Sequence, residues 1–360
     1  MMNGTGTTVA INAKVIINRQ ELAFDSISVT ERNYYLSDVF TVKASLYGNG
    51  NFTMDYWSKT QESEIYIYAS MDDNLTLLFY GLIDTIEIDL PRGMVSLSGR
   101  DKSSLLIDKK TASLYSNLTA SEIATKLAVE NGLTPAVTKT NTIVGNYYVS
   151  YGLVARYTTE WDLLTFLAQQ EGFNVFVEKN ELHFQPVQTN SANAYPLSYQ
   201  QPTNLVAYPI STAISIHLSR SLTLARDVIV KIRSFNSDTG KPLNVTLRSR
   251  HTRNTSKLAP QIYVYDFPQL SPQQAQNKAL QKLKEITQHE MNLEAVLPGD
   301  NVLHKNSLIK FIDSNTTFDQ IYYVAQIVRT ISYRSGYTMN VTAKNHDTNS
   351  QIPAPDNPES

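Results

Sequence analysis

No cysteine occurs among the 360 residues. Disulfides, zinc–thiolate sites and cysteine nucleophiles are excluded with it. Charge is scarce as well. Asp, Glu, Lys and Arg make up 18% of the chain, against roughly 25% in an average globular protein. The two signs nearly cancel, 31 basic against 33 acidic residues, so the basic excess of a dedicated polyanion binder is missing. No run of about 18 apolar residues is present, and no membrane span is expected. The segment Met1 to Ala10 is polar and lacks the basic-then-apolar order of a signal peptide. Asn-x-Ser/Thr triplets at Asn51, Asn117 and Asn340 therefore read as accidents of composition rather than glycan sites.

Catalytic patterns are missing too. His183, His217, His251, His289, His304 and His346 are scattered, with no pair at the spacing that sets two ligands on one helix face. His183 and His217 alternate with apolar residues and read as strand-face residues. No Gly-x-Ser-x-Gly elbow and no phosphate loop occurs, and Gly48-Asn49-Gly50 reads as a turn. Asp84, Glu87 and Asp89 share one predicted strand, with Glu87 and Asp89 on one face and Asp84 on the other. A glycosidase needs two carboxylates flanking a sugar, but a solvated strand face explains these acids more simply. Asp300, Asp313 and Asp319 are loop acids without a ligand pattern. Arg248-Ser249-Arg250-His251-Thr252-Arg253 is the one local charge concentration, read as a solvated loop or a subunit contact. No catalytic, cofactor-binding or metal residue is assigned.

What the chain does have is 42% hydrophobic residues, including 21 Tyr. That is enough for a real core, and the length allows about two or three domains. The first hundred residues read mainly as strand: Ile65–Ala69, Leu75–Ile88, the turn Leu90-Pro91-Arg92-Gly93, then alternating Met94–Ser98. The period changes after residue 100. Thr119-Ala120-Ser121-Glu122 is a capping box opening a helix that stops at Asn131-Gly132. A second helix fits Thr159 to Glu171, capped by Thr159 and Asp162 and ended by Gly172. Asn174–Glu178 and Glu181–Phe184 then read as a hairpin turning at Lys179-Asn180. Residues 101–185 form a small α+β unit on this reading. Residues 186–204 read as an Asn-, Gln-, Ser- and Pro-rich linker. Strands resume at Ile214–His217 and Val228–Ile232. Pro272 opens a third helix, whose apolar stripe is Ala275, Ala279, Leu283 and Ile286. Residues 346–360 read as a disordered tail.

An internal repeat gives the chain more order. Ile83–Ile88, a turn and Gly93–Ser98 resemble Val328–Tyr333, a shorter turn and Gly336–Val341. Each is preceded by an aromatic-rich strand, Leu77–Tyr80 and Ile321–Val324, and before that Ile65–Ala69 parallels Leu308–Ile312. A strand–loop–strand–hairpin unit is thus expected near 64–98 and again near 307–341. Two similar β-domains in one chain can take equivalent places in a ring, and three chains then present six similar faces to a six-fold partner.

Several segments, in order, resemble the late control protein D family, the baseplate hubs of contractile phage tails and related injection machines. They are Leu97-Ser-Gly99-Arg-Asp101 through Asp108; the helix Thr119–Leu127 with Asn131-Gly132-Leu133; Thr159-Glu-Trp161-Asp-Leu-Leu-Thr-Phe166-Leu-Ala168-Gln-Gln-Glu171-Gly172-Phe173 with its hairpin; and, last, helix 272–290, Leu297-Pro-Gly-Asp300, Tyr322–Val324 and Ser335–Thr338. Glu160 stands where that family often has Ser. The resemblance implies an α+β, mainly β fold: two similar β-barrel-like tube domains with an intervening small α+β domain. The expected boundaries are 1–100 for the first tube domain, 101–190 for the α+β domain and 191–345 for the second tube domain with its helix. It further implies a non-enzymatic hub without cofactors. The hub would be a homotrimer joining the tail tube, or a tube-initiator protein, to a separate spike protein and to baseplate wedge proteins. Such a hub belongs to a virion tail baseplate assembled in the host cytoplasm. A spike fused to the hub is not expected, because the chain ends about fifteen residues after its last predicted strand. A tail-associated cell-wall hydrolase or a host-binding adhesin are the alternatives.

Overall fold

The structure is a computed structural model. It describes residues 12–33, 35–70, 74–110, 115, 117–141, 159–187, 191–204, 208–222, 228–236, 241–249, 259–268, 270, 272–287 and 290–345. The fold is mainly β with few helices. The early elements are β1 (Asn12–Ile17), β2 (Gln20–Leu22), β3 (Ser26–Arg32), β4 (Val39–Ser45), α1 (Met54–Lys59), β5 (Glu64–Ser70), β6 (Thr76–Asp89) and β7 (Met94–Asp101). Next come α2 (Ser104–Ile107), α3 (Ala120–Glu130), β8 (Thr134–Val137), α4 (Glu160–Glu171), β9 (Phe173–Glu178) and β10 (Glu181–Pro186). The later part holds β11 (Tyr195–Gln200), β12 (Ile210–Ser211), β13 (Ser215–Arg220), β14 (Val228–Asn236), β15 (Lys241–Arg248) and β16 (Gln261–Asp266). It closes with α5 (Pro272–Thr287), β17 (Met291–Pro298), β18 (Leu308–Ile312), β19 (Ile321–Ser332) and β20 (Gly336–Lys344).

The chain divides into two compact units. The first comprises Met1–Thr189, Pro298–Lys305 and Gln326–Asn340. Its main ladder is antiparallel, running from Gln326–Ser332 of β19 through β3, β4, β7, β6, β5 and β1 to β2. Strict alternation builds its core, because successive side chains of a strand point to opposite faces. Ile27, Val29, Phe40, Val42, Val95, Leu97, Ile65 and Ile67 line the inner face and are almost fully buried. Segment 298–305 braces this sheet: Gly299 N–H donates to Tyr337 O at 2.9 Å, and Asn301 Nδ2 donates to Ala69 O at 2.7 Å.

The same unit carries an α+β layer in which β10 pairs parallel with β8 and antiparallel with β9. Both capping boxes expected from sequence are present, Thr119 with Glu122 and Thr159 with Asp162. Gly172 ends α4 at φ +70°, in the left-handed region that only glycine enters freely. Ile123, Leu127, Leu164, Leu167, Leu182 and Phe184 share one core.

The second unit comprises Asn190–Leu297, Asn306–Ala325 and Val341–Ser360. In it β11 pairs with β12 and, in parallel, with β18; β18 pairs with the start of β19; and β13 pairs with β17. The expected linker 186–204 is corrected here. It contains β11, whose Tyr195–Ser198 pair with Ile309–Ile312 and bury Leu197 fully. Tertiary pairing overrides the polar composition. A further layer separates within this unit: β15-β14-β16 form their own sheet, and α5 packs Ala275, Ala279 and Leu283 onto Val228, Val230 and Ile232. The helix stripe was expected; its separate sheet was not.

The strand order of β5, β6 and β7 recurs as β18, β19 and β20: a short strand, a long one, a tight turn and its return. Both turns use glycine at positive φ, Gly93 at 62° and Gly336 at 80°. The Ser271 start of the third helix, the tail 346–360, His251, His289, His346, Arg250 and Arg253 lie outside the described residues.

Candidate assembly surfaces and the buried ionic network

The acids expected on the β6 face do not converge on a reaction centre. A bulge between Ile83 and Thr85 lifts Asp84 out of the β6–β7 register. Arg100 Nε donates to Asp84 Oδ2 at 2.6 Å, and its Nη2 to Asp108 Oδ2 at 2.8 Å. These two carboxylates hold the guanidinium charge and raise its pKa further. Asp89 is 3.2 Å from Arg92 across the hairpin turn. Glu87 is exposed. Asp300 and Asp319 serve their own loops, and Asp313 binds a residue of β11. Asp300 Oδ1 accepts from Val302 and Leu303 N–H, Asp313 accepts from Ser198 Oγ, and Asp319 accepts from Ser314 and Asn315 N–H. Among the described residues no group of three or more potential metal ligands occurs.

His183 and Trp161 are packing residues, whereas His217 and His304 are exposed. His183 lies flat on Phe176 with ring centroids 4.6 Å apart, and burial lowers its pKa. His217 is paired in register with Glu294. Trp161 is buried in the α+β core, and its indole N–H donates to Tyr35 O at 2.9 Å. The Gly48-Asn49-Gly50 turn borders an open depression lined also by Gln20, Glu21 and Phe52. There Asn49 Nδ2 donates to Ala23 O and Ser45 O.

Two residues of the segment Leu97–Asp108, Gly99 and Asp101, have a structural explanation. Gly99 sits where a Cβ would lie 2.0 Å from Leu82 O. Asp101 takes the last inward place on β7 and accepts from Asp38 N–H at 3.0 Å, Ser103 N–H at 3.0 Å and Ser37 Oγ at 2.9 Å. It thereby ties β7 to the β3–β4 loop and to the turn before α2.

Sequence reasoning missed the largest charged cluster of the first unit. Glu31 and Arg329 lie on inward rows of β3 and β19 and pair with each other. Lys305 Nζ is 2.6 Å from Asp38 Oδ2. With Asp101, three carboxyl groups and two cations are sealed in one interior, all under 9% exposed. Desolvation pushes the Asp38 carboxyl up to about 7 against the opposing pull of Lys305. Burial opposes the Lys305 charge, but Asp38 and Asp101 together raise its pKa. The signal available in sequence was alternation, which sets Arg329 between Ile327 and Ile331.

Two exposed surfaces stand out. In the second unit, Tyr208, Ile210, Ile214 and Leu222 are 89%, 67%, 65% and 75% exposed. Ile214 and Leu222 stand within two residues of the ends of β13 in sequence, and β13 pairs only with β17 among the described strands. The outer face of the β14–β16 sheet is the other. Among the described residues no helix is long and apolar enough to cross a membrane.

The family model for the Alg8 N-terminal domain matches residues 61–206, less than half of the chain. No curated protein matches. The fold is shared with a tail protein from Neisseria meningitidis MC58 at a TM-score of 0.68 and 15% identity, covering 96% of this chain and 100% of that one. It is shared with the 43 kDa tail protein of prophage MuSo2 from Shewanella oneidensis at 0.67 and 14%, covering 94% and 99%. It is shared also with the E. coli c3393 protein, a type VI secretion component described as similar to the T4 tail proteins gp27 and gp5, at 0.53 and 11%, covering 95% and 77%. This chain therefore shares the fold of phage tail proteins and of a type VI secretion component.

Proposed function

We propose that the chain is a structural, non-enzymatic baseplate hub of a contractile tail, akin to the late control protein D family. On this reading three copies form a pseudo-six-fold ring that joins a six-fold tail tube, or its initiator, to a three-fold spike carried on a separate polypeptide. The first tube domain is 1–100, the α+β domain 101–190 and the second tube domain 191–345. The particle is a virion tail or an equivalent injection machine, assembled in the host cytoplasm, with wedge proteins around the ring.

The observation that carries the reading is the recurrence of β5-β6-β7 as β18-β19-β20, each with a glycine-turned hairpin. A three-fold ring meets a six-fold tube only if each subunit offers two like modules. The likeness to tail proteins over nearly the whole chain supports it. The edge of β13 supports it further: among the described strands it pairs on one side alone, and a strand edge with exposed apolar residues near it in sequence calls for cover. The hydrolase reading rests on Glu87 and Asp89; Asp89 is paired with Arg92 and Glu87 is exposed. Electron cryomicroscopy of the assembled particle tests the hub. Three copies with both modules around one axis are expected; one copy per particle, or modules facing away from the axis, overturns it.

A further inference from the structure

The β15-β14-β16 sheet has two faces of opposite character. Its inner face is covered by α5. Its outer face is fixed by register: Arg248, Ile229 and Ile262 form one row; Thr246, Lys231 and Val264 the next; Asn244, Arg233 and Asp266 the third; Pro242 and Phe235 the last. Phe235, Ile262 and Val264 are 57%, 53% and 42% exposed. Lys231, Arg233 and Arg248 enter no ion pair with any described residue, and Asp266 is the one carboxylate among the described residues of that face. Lys231 and Arg233 stand on the central strand β14 and Arg248 on β15, beside the exposed Ile262 and Val264 of β16, with Phe235 at the end of β14. The sequence continues the charge beyond the strand, with Arg250 and Arg253.

We infer that this outer face docks an acidic amphipathic helix of another protein, its apolar stripe on Ile262 and Val264 along β16 and its carboxylates toward Lys231, Arg233 and Arg248 on β14 and β15. The dimensions fit one helix. Three strands spaced about 4.8 Å apart make a face about as wide as one helix with its side chains, roughly 10 Å. α5 already covers the inner face of the same sheet in this way. Charge complementarity sets the sign of the partner and its orientation. A nucleic acid is the poorer fit, because Ile262 and Val264 offer no stacking platform for bases, Phe235 is a single ring at the end of the face, and the cations are few. The inference stands apart from the hub reading, since it concerns only this sheet.

The test uses the full chain and three probes, titrated by calorimetry at low salt. They are a synthetic Leu/Ala/Glu peptide patterned as a one-stripe helix, its Lys-for-Glu counterpart, and a short DNA duplex. Saturable binding of the acidic peptide is expected, weakened at least tenfold in the Lys231→Glu/Arg233→Glu variant and also in Val264→Asn. The basic peptide should not bind. Circular dichroism and melting temperature verify that each variant is folded. The inference is overturned by no binding of the acidic peptide, by equal binding to the folded variants, or by tighter binding of the duplex.

Discussion

Arg329, wholly buried on β19, pairs with Glu31 on the neighbouring strand β3. Its remaining N–H groups donate to Asp300 O and Leu303 O. One guanidinium therefore fastens the bracing segment 298–305 to the sheet interior. Removing one member of a buried pair leaves an uncompensated charge and costs about 3–5 kcal/mol. Arg329→Met is expected to lose that much in urea denaturation. The double variant Glu31→Gln/Arg329→Met should recover a large part of it. A single variant as stable as the wild type would remove Arg329 from its fastening role.

Asp38 gives the same interior a pH dependence. Its carboxyl lies near 7 in the folded chain against an ordinary 3.8, so the folded state holds the proton more tightly. The contribution of this group to stability is then complete below about pH 4 and is lost as pH rises through 7. The physical cause is burial of a third carboxyl beside only two cations. Other carboxylates act oppositely: Glu64, drawn down by Lys102 and Tyr80 against its desolvation, favours folding at higher pH. The wild type and Asp38→Asn should therefore be compared by difference. The melting temperature of the wild type is expected to fall relative to Asp38→Asn between pH 4 and pH 7. Parallel profiles would refute the assignment.

Local signals were legible in the sequence and distant ones were not. The capping boxes at Thr159 and Thr119, the Lys179-Asn180 hairpin and the α5 stripe depend on neighbours a few residues away, and each is present. Arg329 and Glu31 are 298 residues apart, and composition does not reveal such a pair. β11 was hidden for a related reason. Pro196 and the polar residues around it read as linker, and only the ladder to β18 makes them a strand. The carboxylates of β6 read as a solvated strand face in the sequence, and alternation could not foresee the bulge that takes Asp84 out of register.

Gly99 is the tightest place on β7. An added Cβ would lie 2.0 Å from Leu82 O and 2.9 Å from Asp84 N, both backbone atoms that cannot swing aside. Gly99→Ala is expected to push β6 and β7 apart at the bulge and to cost about 3 kcal/mol, the upper end of the usual range for overpacked sites. Ser96→Ala, on the outward row of the same strand, should stay within about 0.5 kcal/mol. Urea midpoints of the two variants check this, and equal midpoints would contradict it.

The flank of β13 separates a folding role from an assembly role. Tyr208 and Ile214 are exposed, so charged substitutions there should change the stability of the isolated chain by no more than about 0.5 kcal/mol. In a subunit contact the same charges would be buried without partners, which is costly. Tyr208→Glu/Ile214→Glu is therefore expected to keep the wild-type melting temperature while abolishing oligomers in light scattering and incorporation into particles. β13 supplies the backbone edge and the two side chains supply the apolar area, so Ile214→Val should assemble normally. Normal assembly of the double glutamate variant would move the subunit contact elsewhere on the second unit.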